Sequence, residues 1–138
     1  MKKFLISASV AMVSLLALGF TNAQASDNSV AITEPADGAT VASPVKVCME
    51  THGVEVEPAK NGVNDGKGHH HLLVDVDVPG DLSKPIGKDA NHVHMGDGST
   101  CKELELGAGK HSITALFAKG NHVPYSPAIS NTIHVTVK

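Results

Sequence analysis

Six of the nine histidines in this 138-residue chain fall in three tight groups: His69-His70-His71, His92-Val93-His94 and Asn121-His122. Imidazole is the commonest protein ligand for zinc, copper and nickel. In an extended segment, residues two apart face the same way, with Cβ atoms roughly 6–7 Å apart. His92 and His94 are therefore spaced to grip one ion, and His69 and His71 share that relation. His70 points the other way, in phase with Leu72 and Val74. Two or three groups together would supply three or four imidazoles, enough for Cu(II), Zn(II) or Ni(II). Met95 follows His94, and a thioether there would favour Cu(I). Each group also has a structural reading: a solvated strand edge for His69–His71, and turn caps for His92 and His122. His134 falls on the polar phase of the last alternating run, His111 lies far from the groups, and His52 closes an early run.

The elements that must position these residues read as short strands. Val30–Thr33 precedes the turn Pro35-Ala36-Asp37-Gly38. Val45–Glu50, Leu72–Val78, Glu103–Leu106, Ser112–Phe117 and Ile133–Val137 alternate apolar and polar residues with period two. Six or seven such strands predict an all-β fold, a small antiparallel β-sandwich of immunoglobulin-like type. Two long polar loops, Gly53–Gly68 and Pro79–Thr100, lead into or carry the histidine groups. Gly107-Ala108-Gly109 predicts a hairpin joining 101–106 to 110–118, which sets Cys101 opposite Ala115. That hairpin brings His92 and His94 beside His122. A strand at 70–78 antiparallel to 111–118 would add His69–His71 at the same end.

Lys2 and Lys3, the apolar run Phe4–Phe20 and Ala23-Gln24-Ala25 read as a signal peptide over residues 1–25. One domain follows over 26–138, located in the periplasm or secreted, with no membrane attachment after cleavage. That part carries 9 Lys against 14 Asp and Glu, a charge of −5 with histidine neutral. Without arginine or a basic patch it has no footprint for nucleic acid. Cys48 and Cys101 are the only cysteines, and in an oxidising compartment they predict one disulfide; a cysteine metal ligand is the alternative.

No Gly-x-Ser-x-Gly, Cys-His pair or phosphate loop is present, so serine, cysteine and nucleotide chemistry have no support. Asp75 and Asp97 are the acids a metalloenzyme would use. A blue-copper site needs Cys, His and Met in one short loop, but Cys101 is followed by no His until His111 and by no Met.

Glu34-Pro35-Ala36-Asp37-Gly38, Val41-Ala42-Ser43-Pro44-Val45, Gly68-His69-His70-His71-Leu72-Leu73, Asn91-His92-Val93-His94, Gly109-Lys110-His111 and Asn121-His122-Val123-Pro124 stand in an order that resembles an uncharacterised family of short secreted bacterial domains. The resemblance covers the whole mature chain. It implies a periplasmic β-sandwich and brings no assigned reaction. Met95 and Tyr125 depart from its pattern. His92–Cys101 is similar to the copper-ligand segment of copper-zinc superoxide dismutases, with its Gly-Asp and disulfide Cys. That family's zinc-ligand run, Gly-x-His-Phe-Asn-Pro, and its substrate-guiding arginine are missing.

The resulting expectation is a periplasmic protein that binds and handles copper, or zinc, through His69, His70, His71, His92, His94 and His122, with the ion and another periplasmic protein as partners. A non-enzymatic envelope interaction module with structural histidines is the second reading. A dismutase-like metalloenzyme is the third.

Overall fold

The computed structural model describes residues 19 and 27–138; the signal-peptide expectation for 1–25 lies outside them. No helix among the described residues is long and apolar enough to cross a membrane. Among the described residues, nine strands form two packed sheets. In the first, β1 (Ser29–Glu34), β3 (Val45–His52) and β7 (Cys101–Leu104) lie side by side, antiparallel. In the second the order is β2 (Thr40–Val41), β9 (Ser130–Val137), β8 (Gly109–Ala118), β5 (Lys67–Val74) and β4 (Glu55–Val56), with β6 (His92–His94) also paired to β5. All pairs are antiparallel except the two-residue β2–β9 and β4–β5 contacts. β1, β3 and β7 correspond to strands A, B and E of immunoglobulin domains, and β5, β8 and β9 to C, F and G.

The predicted alternation places the core. Val45, Val47 and Met49 of β3 and Leu104 of β7 meet Leu72 and Val74 of β5, Ile113, Ala115 and Phe117 of β8, and Ile133, Val135 and Val137 of β9. These residues are almost fully buried, at roughly 1.5–3 kcal/mol for each large side chain.

The predicted hairpin between 101–106 and 110–118 does not form. β7 pairs with β3, and Cys101 stands opposite Cys48 rather than Ala115. The Gly107–Gly109 stretch carries the chain from one sheet to the other. The reason is burial. β7 is exposed except at Leu104, as an edge strand, whereas every residue of β8 from Ile113 to Ala118 is buried. A strand buried on both faces belongs in the middle of its sheet, between β5 and β9. Cys48 and Cys101 form the expected disulfide, which staples neighbouring strands of one sheet.

The alternation at Leu72–Val78 also stops short as a strand. Asp75 takes φ 57° and ends β5. Its carboxylate accepts hydrogen bonds from Ser112 N–H (2.9 Å) and from His111 Nδ1 (2.7 Å). The long loop after β5 folds back over the outer face of the second sheet. Ile86 packs there with Leu73, Leu116 and Ala118, and Val76 and Val78 lie against them. β5 is thereby covered on both faces, which makes its outward side chains a buried layer.

Candidate metal centre

The outward residues of β5 are His69, His71 and Leu73, since β5 alternates and His70, Leu72 and Val74 share the inner phase. β6 runs antiparallel along the same strand, with His94 opposite His71 and His92 opposite Leu73. On the other side His69 stands opposite Ala118, the last residue of β8. The chain then turns tightly: His122 N–H donates to the Lys119 carbonyl (2.8 Å) and Lys119 N–H to the Val123 carbonyl (3.0 Å). His122 sits in the left-handed region at φ 67°, uncommon for a residue with a Cβ. Its carbonyl accepts from Ile86 N–H (2.9 Å), tying the turn to the covering loop.

These three connections gather His69, His71, His94 and His122. All six ring-centroid separations lie between 4.7 and 5.8 Å. One nitrogen from each ring belongs to a set in which no two are more than 4.8 Å apart. Nε2 of His69 lies 3.0 Å from Nε2 of His71 and 3.1 Å from Nδ1 of His122. An ion with metal–nitrogen bonds of about 2.0–2.1 Å holds neighbouring nitrogens roughly 2.9–3.4 Å apart. The four histidines could therefore hold a metal ion with small adjustments.

As a purely hydrogen-bonded cluster the set is poorly matched. A neutral imidazole offers one donor and one acceptor, yet Nε2 of His69 serves two partners. Nδ1 of His69, Nδ1 of His71 and Nε2 of His94 are buried without any partner among the described residues. Burial, with the neighbouring rings adding to it, pushes His69 down to about 4 and His71 to about 3, from 6.5. Burial also lowers His94, helped by His122 and Lys88 and opposed by Asp97. Rings held neutral at pH 7 present lone pairs for a metal without first losing a proton.

Glycine makes room for one ligand. A Cβ at Gly96 would overlap Cε1 and Nε2 of the His94 ring, so only glycine lets that ring lie against its own backbone turn. A cleft of about 240 Å³ opens onto the cluster, lined by His71, His94 and His122 with Ile86, Gly87 and Lys88 of the covering loop.

The remaining histidines lie elsewhere. His70 faces the core between the sheets, its ring 5.4 Å from Phe117 and fully buried. His92 shares the face of His94, but its Nδ1 is held 2.7 Å from Asp89 Oδ1 in the turn before β6. His111 is bound to Asp75 and to the Gly107 carbonyl. His52 and His134 are exposed strand residues. The route to convergence differs from the expected one: β6 reaches β5 directly rather than through a β7–β8 hairpin.

Residues 47–138 match the family described as "Domain of unknown function (DUF4399)". The chain belongs to that family. No curated protein and no solved structure matches the chain. The family description attaches no reaction, so the chemistry of the four imidazoles has to be read from the site itself.

Proposed function

We propose that this is an exported single-domain protein that binds one copper ion, with zinc the second choice, through His69, His71, His94 and His122, and holds it for transfer. The observation that carries the reading is the closure of four imidazoles from three separate segments within one 4.8 Å set. Two of the rings, His69 and His71, are fully buried, and Nε2 of His69 faces both Nε2 of His71 and Nδ1 of His122, more than the single hydrogen bond one neutral ring nitrogen can make. An all-nitrogen donor set suits borderline metals and disfavours calcium or magnesium, which take oxygen. Among the divalent ions such a set prefers copper over zinc. The basic, apolar and Ala-x-Ala stretches of residues 1–25 and the disulfide both fit export to an oxidising compartment.

Holding is favoured over catalysis because the candidate acids are already engaged. Asp75 is bound to His111 and Ser112, and Asp97 accepts from Ser99 N–H. The open cleft allows an ion to enter and leave.

The test is metal content by elemental mass spectrometry after loading with Cu(II) or Zn(II). One equivalent is expected, lost in His71→Ala/His94→Ala and retained in His92→Ala. No bound ion under either loading would overturn the reading.

A further inference from the structure

We propose that the open face of the centre takes a small anion of the carboxylate or pseudohalide class, which ligates the ion and pairs with the ammonium of Lys88. This rests on the metal reading. Four imidazoles are neutral ligands, so a divalent ion among them keeps its full charge of +2. Such a charge in a half-buried site draws an anion unless a carboxylate of the protein neutralises it.

The nearby carboxylates are committed elsewhere. Asp89 Oδ1 holds His92 Nδ1 and the Asn91 N–H, and Asp97 Oδ1 holds the Ser99 N–H. Neither lines the cleft. The cleft lining is three imidazoles, two small or apolar residues and one cation, Lys88. About 240 Å³ accommodates a molecule the size of acetate or a small amino acid beside the ion. His71, His94 and His122 face this space while His69 lies behind them, leaving the ion one side on which a fifth ligand can approach. The same side carries Lys88, so an anion bound there meets two positive charges at once. The cleft thus favours cargo arriving as a metal–carboxylate chelate over the bare hydrated ion.

The experiment uses copper-loaded protein titrated with azide, followed by the azide-to-Cu(II) charge-transfer band and by electron paramagnetic resonance. A saturable new band, displaced by acetate, is expected. Lys88→Met should weaken azide about fivefold, the scale of losing one partly screened charge pair, with copper stoichiometry unchanged. Lys84→Met serves as control, because Lys84 is paired with Asp81 on the same loop and does not line the cleft. Copper uptake with no azide response, or equal azide affinity in Lys88→Met and the parent, overturns the anion site alone. Failure to take up copper overturns the metal reading and the anion site with it.

Discussion

Replacing His70 by leucine separates the core histidine from the metal centre. Its ring is fully buried against Phe117, and neither Nδ1 nor Nε2 has a hydrogen-bond partner among the described residues. An unsatisfied buried polar atom costs about 1–3 kcal/mol, while leucine fills a similar volume with apolar atoms. His70→Leu should therefore raise stability at pH 7 by roughly 1–2 kcal/mol, allowing for imperfect repacking. The gain should grow in acid. Burial alone pushes His70 down to about 4 from 6.5. The unfolded ring gains its proton near pH 6.5 and the folded ring only near pH 4, so the unfolded state binds more protons between those values. The parent is thus fully stabilised above pH 6.5 and loses stability as pH falls toward 4. Between pH 7 and pH 5 this one ring accounts for about 2 kcal/mol. His70→Leu should lead the parent by roughly 3–4 kcal/mol at pH 5. Urea denaturation of chelator-treated protein at both pH values measures this. The pH dependence of His70→Leu should be smaller than the parent's without vanishing, because His69 and His71 titrate in the same direction. An equal gain at both pH values, or a loss of copper binding, would refute the placement of His70 as an unligated core ring.

Gly96→Ala should leave the sandwich folded but drive the His94 ring out of the cluster, lowering metal affinity about 10–100-fold, as loss of a supporting residue does; unchanged affinity by isothermal titration would contradict it. Removing the disulfide in Cys48→Ala/Cys101→Ala, across a separation of 53 residues, should cost about 4 kcal/mol in urea denaturation while leaving metal stoichiometry intact. A loss below about 1 kcal/mol would count against the loop-closure estimate. His111 donates from Nδ1 to Asp75 and from Nε2 to the Gly107 carbonyl, which favours the imidazolium and raises its pKa above 6.5. That stabilisation is complete below pH 6.5 and is lost as pH rises through the raised value. Asp75→Asn, which keeps an oxygen for Ser112 N–H and tolerates the left-handed backbone, should cost about 0.5–1 kcal/mol at pH 6 and much less at pH 9, and equal costs at both would argue against an ion pair.

Much of the fold was legible because period-two alternation is a local property. Val45–Met49, Ile113–Phe117 and Ile133–Val137 face the core as their spacing implies. The opposed phases of His70 and its two neighbours were legible for the same reason. Which strands become neighbours was legible only in part: β5 runs antiparallel to β8 as expected, but the hairpin between 101–106 and 110–118 does not form. Gly107-Ala108-Gly109 reads locally as a hairpin turn, and only the need to bury both faces of β8 sends the chain to the opposite sheet. His92 and His94 are equivalent by spacing, yet Asp89, three residues earlier, captures one of them. The run His94-Met95-Gly96 carries no local signal for the contact of the His94 ring with Gly96.

By itself, the chain determined a strand-rich sandwich, one disulfide from its only two cysteines, and which imidazoles share a strand face, because each follows from residue type, count or local periodicity. Tertiary structure alone decided that β6 lies along β5, that the turn after β8 brings His122 to His69, and that His71, His94 and His122 line a cleft beneath a covering loop. Those are distances between residues 23 to 53 positions apart, set by where apolar faces on several strands are buried together, and no local pattern encodes them.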